Sequence, residues 1–174
     1  IIGSLVVVNK ITFLTGGIAH SSYGGIGIAI YLGLPVLFGA TVFAIITAVI
    51  IAILTLNNRT RVDAIIGMMW AFGMAIGIVF VDLTPGYNVD LMSYLFGSII
   101  AVSSEDIMYM TFLDIFIISI VLYFYKEILT VSYDSQFARL RGINVKFFYT
   151  LILILSALCV VAAIKAVGLI LVIA

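Results

Sequence analysis

"FLTGGIAHSSYGGIGIA", residues Phe13 to Ala29, holds the only histidine of the chain, His20, and five glycines (Gly16, Gly17, Gly24, Gly25 and Gly27) in an apolar setting. Glycine weakens a helix interior by roughly 0.5–1 kcal/mol relative to alanine. An ionisable side chain within a membrane segment usually faces a cavity or the protein interior rather than lipid. What the stretch means therefore depends on whether it crosses a bilayer, and the rest of the sequence answers that.

Of 174 residues, 65% are hydrophobic and 9% charged, against about 25% charged in soluble domains. Several apolar runs reach the ~20 residues that a membrane-crossing helix needs. The expected fold is all-α, a polytopic transmembrane helical bundle in which the second span is broken at its glycines. Formal net charge is zero, so no nucleic-acid partner is expected. A single cysteine, Cys159, cannot form an intrachain disulfide. The first apolar segment has neither the basic start nor the cleavage pattern of a secretory signal. The chain opens on "IIGSLVVV" and closes on "KAVGLILVIA", and it is expected to be part of a longer protein, incomplete at both ends.

Residues 1–8 read as the tail of one span, followed by a turn at Asn9-Lys10. Spans are expected at 14–34, 36–56, 64–82 and 107–125, with a last apolar run at 149–174. Pro35 marks one boundary and "TPGYNVD" (84–90) another. Basic residues gather in cytoplasmic loops. Lys10, Arg59, Arg61, Lys126, Arg139, Arg141 and Lys146 all fall on one side if 14–34 runs outward, 36–56 inward and 64–82 outward. Asp82, Asp90, Glu105 and Asp106 then lie on the outer side. This parity requires that 91–102 not cross, so that segment is read as re-entrant or interfacial.

His20 is either a metal ligand, the commonest protein role of neutral imidazole in metal sites, or a residue bonding one helix to another. The glycines either allow close helix packing or permit an unwound segment lining a cavity. Asp114, inside the 107–125 span, either binds or pairs with a cation or reaches outer water. Lys165, in the last run, either pairs with a carboxylate such as Asp114 or snorkels. The outer acids either raise the local cation concentration or form an ordinary solvated loop. In the loop 126–148, "SYDSQFARLRGINV" predicts a short helix, capped by Asp134 or Ser132 and ended by Gly142. Its apolar side chains, Phe137 and Leu140, face either a protein partner or the membrane surface.

Together these stretches resemble the membrane permease subunits of ATP-binding-cassette importers for zinc, manganese or iron(II). "FLTGGIAHSSYGGIGIA" is similar to that family's second-span motif, "YLFGSIIAVSSEDI" to its outer segment and "SYDSQFARLRGI" to its cytoplasmic coupling segment; "DAIIG" (63–67) and "VGLILVIA" fit as well. The resemblance implies about eight spans in the whole permease, residues 1–174 forming one transmembrane permease domain and 126–148 a cytoplasmic coupling loop. It also implies a prokaryotic plasma (inner) membrane location, a homodimer of permeases, two ATPase subunits and an extracellular or periplasmic metal-binding protein. His20, with Ser21 and Ser22, would lie in the metal pathway. Asp134, Phe137, Ala138, Arg139, Leu140, Arg141 and Gly142 would form the coupling helix, and 91–102 would sit near the outer gate.

Many family members carry an aspartate four residues before the histidine, where this chain has Gly16. His20 must then find partners among backbone carbonyls, Ser21 or Ser22, water, or side chains outside 1–174. Imidazole with few carboxylates favours zinc over manganese, so zinc is the expected cargo, with no permanently bound cofactor. No GxxxxGK[ST] loop occurs, so ATP hydrolysis falls to a partner subunit and the chain is not expected to be an enzyme. A permease for iron–siderophore or cobalamin cargo is the alternative. A passive channel or an intramembrane enzyme stands further off, since no HExxH or paired catalytic set accompanies His20.

Overall fold

The computed structural model describes residues 1–56, 62–85 and 102–168, with the side chains of Lys165 and Ala166 left aside. Eight helices follow one another among these residues: α1 (Ile2–Val8), α2 (Thr12–Leu32), α3 (Val36–Thr55), α4 (Val62–Asp82), α5 (Ser104–Tyr123), α6 (Tyr125–Tyr133), α7 (Ser135–Leu140) and α8 (Val145–Val167). Four of them, α3, α4, α5 and α8, are long and apolar enough to cross a membrane.

Local chemistry sets the helix boundaries. Gly33, with φ of 68°, ends α2 in the left-handed conformation, and Leu34 N–H donates back to the Ala29 carbonyl. Pro35, whose ring fixes φ near the observed −57°, precedes α3. Ser103 and Asp106 form a reciprocal capping box at the start of α5. Asp106 is thus partly a helix cap rather than simply an outer-loop charge.

In a bilayer no hydrophobic force drives helices together, so small residues and polar contacts must hold them. Along α3 the alanines 40, 44, 48 and 52 form a buried stripe with Thr41, Thr47 and Thr55, while Phe38, Val42, Ile46 and Ile53 point outward. Thr41 and Thr55 donate to carbonyls one turn back in their own helix, so burying their hydroxyls leaves no donor unpaired. Across helices, Tyr109 Oη donates to Thr41 Oγ1 at 2.8 Å, and Thr55 Oγ1 lies 3.4 Å from Tyr149 Oη.

α2 occupies the middle of the bundle, touching α3, α4 and α8. At 21 residues it is about 31 Å long, enough to cross the hydrocarbon layer. The break expected at its glycines does not occur: α2 is one continuous helix. Its glycines serve close approach instead. A Cβ on Gly24 would lie 2.8 Å from both the Gly73 carbonyl oxygen and the Phe43 ring; Gly25 abuts the Gly39 carbonyl, Gly27 abuts Gly77, and Gly17 abuts Ile66. Gly16 is also buried. An intact helix stays stable here because backbone packing on two sides replaces the side chains that glycine lacks.

The same contacts give the helix directions. Gly17 meets Ile66, Gly24 meets Gly73 and Gly27 meets Gly77, so α2 and α4 run parallel; Gly25 meets Phe43 and Ala29 meets Gly39, so α3 runs the other way. Thr55 near Tyr149 makes α8 antiparallel to α3, and Tyr109 beside Thr41 places the start of α5 with the start of α3. α4 therefore ends at the bundle end where α5 begins. Thr84 and Ser103, described residues that follow α4 and precede α5, therefore lie at the same end of the bundle. Lys10, Lys126, Arg139, Arg141 and Lys146 gather at the opposite end, and Asp82, Glu105 and Asp106 at the α4–α5 end. Arg59, Arg61, Asp90 and most of the 91–102 segment lie outside the described residues.

Candidate functional site

His20 lies on α2 eight residues from Thr12, about 12 Å of helix rise and so close to mid-span. It is half-buried. Its ring stacks on the indole of Trp70 from α4, with centroids 3.9 Å apart and planes at 8°. The indole N–H donates to Met74 Sδ at 3.1 Å, and the Phe13 ring lies beside the Trp70 ring, tilted by 43° with centroids 6.4 Å apart. His20 Nδ1 is buried with no hydrogen-bond partner among the described residues. In a low-dielectric setting such an orphaned nitrogen is costly, and it is one that a cation or an ordered water would satisfy.

Ser21 and Ser22 are fully buried, and their hydroxyls donate to the Ile18 and Ala19 carbonyls of α2 at 3.0 and 2.7 Å. Ser21 lies under Gly73, against α4. Neither hydroxyl is bonded to His20. Position 16, one turn before the histidine, offers only the buried Gly16. No group of three or more His, Cys, Asp or Glu able to hold a metal occurs among the described residues. Among the described residues, no carboxylate is bonded to His20.

Asp114 is exposed at the middle of α5, a helix that rests on α8 through Leu113, Ile117 and Val121. It makes no hydrogen bond or ion pair among the described residues. The expected pairing with Lys165 falls on a side chain outside the description. Asp82 and Glu105 are exposed at helix ends.

At the basic end, Asp134 caps α7 by accepting from Gln136 and Phe137 N–H, both at 2.9 Å. Ser132, the alternative cap, instead accepts from Asn9 Nδ2 at 2.9 Å. Gly142, with φ of 76°, ends the helix as expected, with Gly142 and Ile143 N–H returning to the Arg139 and Ala138 carbonyls. Ala138 is buried, while Leu140 is 87% and Phe137 47% exposed. Arg139 and Arg141 are exposed, and the Arg141 guanidinium lies 5.1 Å above the Phe137 ring. The result is a small knob, apolar at its tip and basic at its rim.

Sequence reasoning missed Trp70 and the receiving glycines Gly39, Gly73 and Gly77. The Gly73-x-x-x-Gly77 spacing was the signal that could have marked α4 as the partner of α2. Trp70 is the only tryptophan of the chain, but nothing in its local pattern tied it to His20.

The chain is similar to known transport proteins. The chain is 38% identical over 177 residues to a "Probable metal transport system membrane protein" of Chlamydia trachomatis, covering 98% of this chain and 60% of that protein. It is 32% identical over 174 residues to the manganese transport system membrane protein MntC of Halalkalibacterium halodurans, covering 100% of this chain and 60% of MntC. PsaBC from Streptococcus pneumoniae, solved in complex with Fab, superposes with a TM-score of 0.82 at 28% identity, covering 99% of this chain and 62% of that chain. The chain spans about 60% of the length of the curated relatives it matches. The bundle built around a glycine-packed central helix is thus an integral membrane protein fold shared with transport proteins. Because the profile of the ABC 3 transport family matches residues 1–174 throughout, the chain belongs to that family.

Proposed function

We propose that the chain forms the larger part of a permease subunit that carries a divalent transition-metal ion across the prokaryotic plasma membrane by alternating access. The observation that carries this reading is the mid-span His20, half-open, with Nδ1 buried and unpartnered. Transporters place substrate sites near the midplane. A single imidazole there binds a first-row cation weakly enough to release it. The energy comes from a separate ATPase pair seated on the α7 knob, whose exposed Leu140 and Phe137 fit an apolar cleft. A second permease copy and a metal-binding protein at the acidic end complete the assembly.

Two cargoes have distinct support. Zinc is favoured by imidazole without carboxylate; manganese is favoured by the name of the relative MntC. The test is ATP-dependent uptake by the full-length permease reconstituted with its ATPase and binding protein. Radioactive zinc and radioactive manganese are supplied separately, each with the other as competitor. The expected result is uptake of at least one metal, abolished in His20→Ala while the complex still assembles. Wild-type uptake by His20→Ala would remove His20 from the pathway. Absence of any metal uptake would shift the weight to a chelate or cobalamin cargo.

A further inference from the structure

We propose that Trp70 is a positioning residue for His20: its indole holds the imidazole in the orientation that receives the cation and favours the ring's cation-bound form. The inference rests on the assignment of His20 to the cation pathway.

Metal-ligating histidines ordinarily donate their second ring N–H to a carboxylate, carbonyl or water, which fixes ring rotation and tautomer. His20 has no such bond among the described residues. Whichever ring nitrogen takes the cation, the other makes no hydrogen bond among the described residues, and the position one turn earlier is Gly16. Among the described residues, the aromatic contact that sets the plane of the ring is the parallel stack on Trp70 at 3.9 Å.

The indole is itself held. Its N–H is committed to Met74 Sδ, and the tilted Phe13 ring flanks it. Close contacts bracket the stack on both sides, Gly17 against the Ile66 side chain on one and the Ser21 and Gly24 backbone against Gly73 on the other. The spacing of α2 and α4 at His20 and Trp70 therefore cannot drift without breaking those contacts. A ring pinned in this way supplies orientation without spending a hydrogen bond.

The stack also discriminates between states of the imidazole. An aromatic face carries negative charge density and attracts cations and electron-poor rings. Metal coordination draws electron density from the imidazole, so its attraction to the indole face rises when the cation arrives. Trp70 thus adds to affinity without donating an atom to the metal. An excited indole against an imidazole that gains positive charge also loses emission by electron transfer, so the pair reports its own occupancy.

The experiment uses the full-length permease in complex with its ATPase. Zinc is the probe because it is diamagnetic and does not quench indole emission by itself, and the readouts are tryptophan emission and uptake. The expected result is a zinc-dependent quench that is absent in Trp70→Phe and in His20→Ala. Trp70→Leu should raise the KM for uptake on the order of tenfold with little change in Vmax, and Trp70→Phe, whose ring still stacks, should recover most of that loss. An unchanged KM in Trp70→Leu beside an inactive His20→Ala overturns the positioning role and leaves the His20 assignment standing. Wild-type transport by His20→Ala removes both. Equal loss of assembly in Trp70→Leu and Trp70→Phe marks the indole as helix packing only and overturns the proposal.

Discussion

A Cβ at Gly73 would stand 2.5 Å from Ser21 Cα and 2.6 Å from the Ser21 carbonyl oxygen, whereas a Cβ at Gly67 on the same helix would meet no atom within 4 Å. The two positions should therefore respond in opposite directions. Gly73→Leu must push α4 off α2, at a cost near the upper end of the about 1–3 kcal/mol typical of overpacking. Gly67→Ala should be neutral or stabilising by about 0.5–1 kcal/mol, because glycine in a helix interior is entropically unfavourable. Thermal denaturation of the solubilised full-length permease, followed by size-exclusion chromatography, separates them; similar melting points would remove the close-approach account of α2. His20 was legible from sequence because a lone titratable residue in an apolar run needs a reason. Trp70 was not, because an aromatic within a span reads as packing until the register of α2 against α4 sets it on the imidazole.

The α2 helix shows where pattern reading reaches its limit. A glycine cluster lowers the stability of an isolated helix and also lets backbones touch, and the sequence of α2 alone cannot say which effect prevails. The answer lies in Gly39, Gly73 and Gly77, which sit on other helices. The short α7 was read more fully, since Asp134 and Gly142 are local signals. Even there, the assignment of Ser132 depended on Asn9, a contact 123 residues away in the chain. Asp134→Ala should cost about 1 kcal/mol of local helix stability by leaving the Gln136 and Phe137 N–H groups without their acceptor. Leu140→Glu should leave the melting temperature unchanged, because the side chain is 87% exposed. If α7 is the coupling helix, Leu140→Glu will nevertheless weaken capture of the ATPase subunit in a pull-down from detergent. Undiminished capture would show that the ATPase seats elsewhere.

Across the molecule, charge placement and helix number together fix a topology that the packing directions reproduce. With Cys159 replaced by alanine, Asp82→Cys should react with a membrane-impermeant maleimide added to intact cells, and Lys126→Cys only after the cells are opened. Reaction of both from outside would invert or break the arrangement. Most of the span plan was readable because hydropathy and basic loops are summed over many residues. The centrality of α2 was not, because it emerges only from contacts among α2, α3, α4 and α8. That centrality bears on biogenesis. This helix is not among the four described helices long and apolar enough to cross a membrane, and 13 of its 21 residues are buried, against α3, α4 and α8, all synthesised after it. On leaving the translocon it has a weak claim on lipid and no finished seat in the protein. It must wait beside the channel or pair provisionally with α3 until α4 emerges.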